Sequence, residues 1–257
     1  MALLKIWRTV RRQGVGSALQ KILTIGPAYF GGIKHWRLRR CQCCERMTVF
    51  IAHRNGSAEF RACLFCSANE RYELLAAEIR QRYGKRLPEM DVLELDPHSP
   101  LRAILSSART YTRTFYEEGG SGLQRDGAVC ADISALSFEN GSFDLIVSSE
   151  VLEHVPQLEK ALRESARVLR RGGVHLFTVP PRVATRRRAE IIDREIKHIE
   201  PPEYHQDPLC PEGILAFWDI GPDLAHALPI EGLEIKIARG PVGADGRIVW
   251  IAERIAA

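Results

Sequence analysis

From residue 91 onward, short apolar runs alternate with stretches of helical periodicity. Asp91–Leu95 (DVLEL) reads as a buried strand and Pro100–Ala108 as a helix. Thr110–Tyr116 is a second strand candidate with noisier alternation, Ala128–Ala131 a short third and Phe143–Ser148 (FDLIVS) a fourth. Unbroken apolar runs of this length suit strands buried on both faces. Leu158, Ala161, Leu162, Ala166 and Leu169 fall on one side of a helix over 158–169. Gly172-Gly173 lies just past it, where helices end. Val174–Val179 (VHLFTV) is a fifth strand, stopped by Pro180-Pro181. Residues 182–222, charged and Pro-rich, predict helical fragments, and Leu233–Ala238 with Arg247–Ala252 predict a closing antiparallel pair. Strands alternating with helices imply an α/β fold around a parallel, doubly wound sheet.

Upstream the pattern differs. Residues 1–40 read as a basic arm of short helices broken by Gly14-Val15-Gly16 and Gly26-Pro27. Residues 67–83 predict a helix, with Leu74, Leu75, Ile79 and Tyr83 recurring and Gly84 ending it. Hydrophobic residues make up 45% and charged residues 26% of the 257, which excludes a disordered or collagen-like chain. Residues 1–46 carry ten Lys/Arg against one acid, Glu45, whereas the remainder carries 26 basic and 31 acidic residues. A basic arm on an acidic body suits an anionic partner, such as a membrane surface, an acidic protein or, less favoured, nucleic acid. No apolar run approaches the ~20 residues of a membrane span. Lys5 and Arg8 interrupt any signal-peptide core, so a cytoplasmic location is expected.

Five of seven cysteines fall within residues 41–66. Cys41 and Cys44 form one C-x2-C, Cys63 and Cys66 another, with 18 residues between. Two intervening residues let one tight turn aim both sulfurs at one ion, and two such turns close a tetrahedron. The expectation is a structural zinc in a small ribbon-like module, residues 41–84 including the following helix. Cys43 competes with Cys44, and spacing favours Cys44.

In an open parallel sheet, ligands sit beyond the carboxyl ends of the strands, near the point where strand order reverses. Glu94 ends the first predicted strand. Glu117 lies 23 residues further on, a position suited to gripping ribose hydroxyls. Asp132 follows the third strand, where its carboxylate can accept from an adenine amino group. Ser148, Ser149 and Glu150 follow the fourth. The segments VLELD, ADISALSFENGSFDLIVSSEVLEHV and ALRESARVLRRGGVHLFTVP resemble the class I S-adenosylmethionine-dependent methyltransferases over about residues 88–180. The upstream C-x2-C pairs and HIEPPEYHQDPLCPEG resemble, more weakly, a bacterial subgroup linked to surface glycans. The resemblance implies a Rossmann-like, seven-stranded, mostly parallel sheet with an antiparallel closing hairpin, over residues 85–257. It implies S-adenosylmethionine as cofactor, with Glu94, Asp96, Pro97, Glu117, Asp132, Ile133 and Ser149 around it. The chain departs from the family at the first turn, where Asp96-Pro97-His98-Ser99 stands in place of Gly-x-Gly.

Methyl transfer to oxygen or nitrogen is an in-line displacement, and a hydroxyl acceptor must also lose a proton. Glu150, Glu153 and His154, at i, i+3 and i+4, would share one helix face. The same E-x-x-E-H order in ubiquinone-biosynthesis O-methyltransferases resembles a divalent-metal site. His198, Glu203, Tyr204, His205 and Asp207 form a second dense cluster, where an acceptor lid would fall. Arg186-Arg187-Arg188 reads as a solvated helix end or an anion contact. His154, His205 and Glu150 are the candidate catalytic residues. The leading expectation is methyl transfer to an oxygen of a small-molecule or glycan acceptor. An rRNA or tRNA methyltransferase and an inactive scaffold of the same fold are the alternatives.

Overall fold

In the computed structural model the described residues are 37–52, 61–207, 210–242 and 246–255, and they fall into two units. The predicted arm therefore lies outside the described residues except for its last four. These are not helical: Arg37–Arg40 is strand β1, paired antiparallel with β2 (Met47–Ala52), which pairs with β3 (Arg61–Cys63). Helix α1 (Glu70–Tyr83) follows and buries Leu75, Ala76 and Ile79. Glu70 and Glu73 sit in its first turn and Arg80 and Arg82 in its last, matching the helix dipole. The first unit runs to Arg82, and residues 99–104 group with it.

The second unit is built on one large sheet. Its elements in chain order are β4 (Asp91–Glu94), α2 (Arg102–Leu105), β5 (Thr110–Phe115), β6 (Gln124–Arg125), β7 (Ala128–Cys130), β8 (Phe143–Ser149), α3 (Leu158–Val168) and β9 (Leu169–Thr178). Then come β10 (Arg186–Arg187), β11 (Ala189–Ile192), β12 (Glu195–His198), β13 (Tyr204–Asp207), β14 (Cys210–Leu215), β15 (Trp218–Asp219), α4 (Leu224–Ala227), β16 (Leu233–Val242) and β17 (Arg247–Arg254). The strand order is β16-β17-β9-β8-β4-β5-β7-β6. Five strands, β7, β5, β4, β8 and β9, run parallel, and β17 and β16 close the sheet antiparallel. The eighth strand corrects the expected seven: β6 is a two-residue antiparallel addition that caps the edge of β7.

Burial explains the legible strands. All four residues of β4 and six of seven in β8 are buried, as two-faced covering requires. On one side Leu152, Leu158, Leu162, Phe177, Trp218 and Trp250 form a cluster, and Phe177 stacks on Trp250 with centroids 6.0 Å apart. The glycines after α3 begin β9 rather than a loop. A Cβ on Gly173 would stand 2.8 Å from the Arg170 carbonyl, so the register shift against β8 needs glycine there. At the amino ends of the parallel strands, Asp91 accepts from Arg109 Nε (2.9 Å), Thr110 Oγ1 (2.8 Å) and Arg170 Nη2 (2.7 Å). These partners hold its carboxyl far below the usual range, Arg109 foremost. That end of the sheet is clamped, leaving the carboxyl ends for ligands.

Residues 182–222 hold no helix among the described residues, contrary to expectation. They form three two-stranded ribbons, β10 with β15, β11 with β12 and β13 with β14. The β11–β12 turn uses Asp193 and Arg194 at φ of 52° and 68°, the paired left-handed geometry of a two-residue hairpin. Buried Asp219 anchors the segment: Arg186 Nε lies at 2.8 Å, Arg182 Nε at 3.0 Å and Arg188 Nη1 at 3.0 Å. Arg186 and Arg188 are thus ion-paired here rather than forming a solvated helix end. The predicted helix over 100–108 shrinks to Arg102–Leu105.

Two stability predictions follow from buried polar groups. His175 is fully buried, with Nε2 2.9 Å from Ser148 Oγ, and burial pushes its pKa down to about 3. The unfolded chain binds a proton there below pH ~6.5 while the folded chain does not. Stability from this group is therefore lost as pH falls, by about 2 kcal/mol at pH ~5. Urea midpoints across that interval should drop less in His175→Gln, and parallel drops would contradict the assignment. Asp219→Ala strands three guanidinium groups and should cost about 3–5 kcal/mol in urea unfolding. Amide exchange should accelerate in 186–219, and an unchanged midpoint would count against the anchor.

Candidate functional site

Strand order reverses between β4 and β8, which opens a crevice at their carboxyl ends. Glu94 is 1% exposed, and the Tyr111 hydroxyl on β5 donates to its Oε2. The glycine-free turn after β4 is held by side chains. Asp96 Oδ1 accepts from the His98 backbone N–H at 2.7 Å, an Asx-type turn. Arg113 on β5 donates to the Pro97 carbonyl at 2.7 Å. His98 is exposed and Pro97 half-buried, so neither side chain is packed into the sheet.

Beyond β7, Asp132 Oδ1 accepts from both the N–H and the hydroxyl of Ser134, each at 2.7 Å, which fixes the carboxylate at the strand mouth. Ile133 turns inward and is 6% exposed in the core. Ser148 and Ser149 lie inside β8 rather than after it, and Ser149 Oγ meets Thr178 Oγ1 at 3.0 Å. Glu117 stands two residues past β5, exposed and paired with Arg125 at 2.7 Å. That pair points to a surface ion pair.

The expected helical face of Glu150, Glu153 and His154 does not form. Glu150 takes φ 56°, and only Leu152–His154 is helical, as one 3-10 turn. Glu150 is drawn to Arg247 Nη1 on β17 at 3.3 Å, a partner 97 residues away that no local pattern announces. Glu153 is 1% exposed and joins His154 and His205 instead. The 3-10 turn is stitched to the inserted ribbons: Phe217 N–H donates to the Glu153 carbonyl at 2.8 Å, and His154 Nδ1 meets the Leu215 carbonyl at 2.9 Å. The rings of His154 and His205 meet edge to face at 4.8 Å. Glu153 beside it raises the His205 pKa above the ordinary imidazole range, against burial. His198 and Tyr204 are exposed and stand outside this group.

In the first unit the two C-x2-C turns are conformational twins. Glu45 N–H donates to the Cys41 carbonyl and Ser67 N–H to the Cys63 carbonyl, both at 2.9 Å. Cys41 N–H bonds the Arg46 carbonyl and Cys63 N–H the Ala68 carbonyl. Each turn ends on a left-handed residue, Glu45 at φ 59° and Ser67 at 64°. The four sulfurs of Cys41, Cys44, Cys63 and Cys66 lie within 4.8 Å of one another. Cys41 is 3.5 Å from Cys66 and Cys44 is 3.8 Å from Cys63. Thiolates ~2.3 Å from a tetrahedral ion stand roughly 3.8 Å apart, so the set fits such an ion. Cys43 Sγ points to the Tyr72 carbonyl at 3.4 Å. Sequence reading missed Glu73, which accepts from Cys41 Sγ at 3.0 Å and from Gln42 N–H at 2.7 Å. Burial, then Cys41, raises its pKa to about 7. Cys130 is buried in the second unit, and the side chain of Cys210 lies outside the described residues.

Residues 82–177 match the family described as a methyltransferase domain. A stretch of 52 residues is 42% identical to sarcosine/dimethylglycine N-methyltransferase of Halorhodospira halochloris, covering 20% of this chain and 19% of that one. The chain thus spans about a fifth of the length of this curated relative. An S-adenosylmethionine-dependent methyltransferase from Clostridium acetobutylicum is 15% identical, covering 72% of this chain and 92% of its own, with a TM-score of 0.43. One from Mesorhizobium loti is 14% identical over 64% and 91%, with a TM-score of 0.41. Over residues 82–177, therefore, the chain resembles a methyltransferase domain.

Proposed function

We propose that this chain transfers a methyl group from S-adenosylmethionine to an oxygen of a small-molecule or glycan acceptor. The observation that supports the reading is that Glu94, the residue 95–98 turn and Asp132 lie at the carboxyl ends of the parallel strands β4 and β7 of one sheet, within the matched residues. We assign Asp132 to the adenine amino group. Glu94 orders the turn through Tyr111, and Asp96 and Pro97 shape the turn that faces the methionine end. Ile133, beside Asp132 though packed in the core, and Ser149, at the end of β8, are assigned to the cofactor by position, and Glu117 is the weakest member because Arg125 already engages it.

The bound cofactor supplies an electrophilic methyl on sulfur. As the acceptor oxygen bonds to that carbon, the S–CH3 pair returns to sulfur, leaving S-adenosylhomocysteine. The hydroxyl proton goes to the histidine pair His154 and His205, the groups with imidazole nitrogens on the acceptor side. Glu150, engaged by Arg247, positions the chain after β8 rather than taking the proton. The relative's name concerns a small amine acceptor, which supports small-molecule chemistry more than RNA. In the first unit we assign a structural zinc to Cys41, Cys44, Cys63 and Cys66, with Glu73, held by the Gln42 N–H, beside Cys41. Reduced thiols of this kind suit the cytoplasm. No helix among the described residues is long and apolar enough to cross a membrane. The basic arm, outside the described residues, is the part suited to an anionic membrane or protein partner.

Calorimetry with S-adenosylhomocysteine should give saturable binding, weakened at least about tenfold in Asp132→Ala, a loss of ~1.4 kcal/mol. No heat in the parent protein would favour the scaffold reading, and equal affinity in the variant would remove the adenine assignment. Metal analysis should give at least one zinc per chain, with one equivalent lost in Cys63→Ser/Cys66→Ser and none lost in Cys43→Ser. Full zinc in the double variant would overturn the four-thiolate site.

A further inference from the structure

One buried group in the second unit has no counterpart. Both carboxylate oxygens of Glu153 are buried and find no hydrogen-bond donor among the described residues. His154 Nε2 stands 3.6 Å and His205 Nδ1 3.7 Å from Glu153 Oε1. These gaps are too long for hydrogen bonds. A buried carboxylate left in that state is costly, and native folds pair such charges or place them on metals.

The opposite edges of the two rings settle their tautomers. His154 Nδ1 stands 2.9 Å from the Leu215 carbonyl, which only accepts, so Nδ1 carries the proton. His205 Nε2 stands 3.1 Å from Glu203 Oε1, so Nε2 carries the proton there. In its neutral form each imidazole then presents an unprotonated nitrogen toward the same carboxylate oxygen. Outer-shell carbonyls and carboxylates orient metal-ligating histidines in this way. The neighbouring guanidinium groups are occupied elsewhere: Arg182 and Arg188 lie on Glu203 and Asp219. One ligand atom from each of Glu153, His154 and His205 lies within 4.8 Å of the others. Nitrogen and oxygen ligands ~2.1 Å from a tetrahedral ion stand roughly 3.4 Å apart, so a small inward shift would seat one.

We propose that Glu153 Oε1, His154 Nε2 and His205 Nδ1 bind one divalent transition-metal ion of the Zn2+/Co2+ class. Two imidazoles select against Mg2+ and Ca2+. Three protein ligands leave a fourth position open, unlike the closed four-thiolate set. His154 and His205 side chains are 14% and 23% exposed, so that position is reachable from solvent. The ligand set differs from the helical-face trio read in the sequence, since Glu150 is absent and His205 enters from β13. The inference deepens the methyltransferase reading and rests on it only for the ion's use. With an ion bound, the acceptor oxygen would be held on it and its hydroxyl acidified, and this would replace the proton transfer to the free histidine pair described above.

The test is a Co2+ titration of the full chain after its thiolates have been loaded with zinc. One further equivalent should bind, with weak visible bands and no sulfur-to-cobalt charge transfer. Glu153→Gln and His205→Ala should each weaken binding at least about tenfold. His226→Ala, an exposed histidine elsewhere, should leave it unchanged. Circular dichroism of each variant guards against misfolding, and His154→Gln serves as replacement if one fails to fold. No binding at millimolar Co2+, or binding with thiolate charge-transfer bands, would overturn the site. S-adenosylhomocysteine binding without cobalt binding sinks the ion alone. The reverse result supports the ion and sinks the methyl-transfer reading.

Discussion

The reversal of strand order between β4 and β8 is the constraint on which the rest of the second unit depends. Five parallel strands all exit at one rim, and their connections leave to either side of the reversal, so backbone cannot fill the crevice there. At that rim side chains also reach across strands: Tyr111 to Glu94, Arg113 to the Pro97 carbonyl, Thr178 to Ser149. The opposite rim is tied shut around Asp91 and Asp144 by Arg109 and Arg170. The sheet is thus clamped at one end and side-chain-braced at the other, with no glycine in its first turn.

The parts legible in the sequence are those whose causes are local or two-sided. Strands β4, β8 and β9 show as continuous apolar runs because both faces are covered. The cysteine turns show because a C-x2-C must fold back on itself, and the hydrogen bonds of the two turns coincide. What did not show depends on distant partners. Glu150 was expected on a helix with Glu153, yet Arg247 pulls it aside across the sheet. Residues 182–222 were expected to hold helical fragments because strands such as β10 and β12 are exposed and carry no apolar alternation, and their anchor, Asp219, pairs with arginines 31 to 37 residues earlier. The Asp193-Arg194 turn lacks the Asn-Gly signature that usually marks such hairpins.

The inserted ribbons give the acceptor side its character. They bring His205 and Glu203 to the turn after β8, cover Glu153 and fix the His154 ring through the Leu215 carbonyl. Sequence reading named both histidines as separate candidates; their meeting is a property of the β13–β14 ribbon alone. A buried carboxylate lies in this region, Glu153, and another in the first unit, Glu73, beside the cysteines. In both places a carboxylate is held against groups able to ligate a metal.

A crystal structure of the chain grown with saturating S-adenosylhomocysteine tests the central claim most directly. The account predicts adenine within hydrogen-bonding distance of Asp132, with the remainder of the ligand running along residues 95–98 toward the end of β8. Ligand bound elsewhere, or a crevice left empty at saturation, would contradict it.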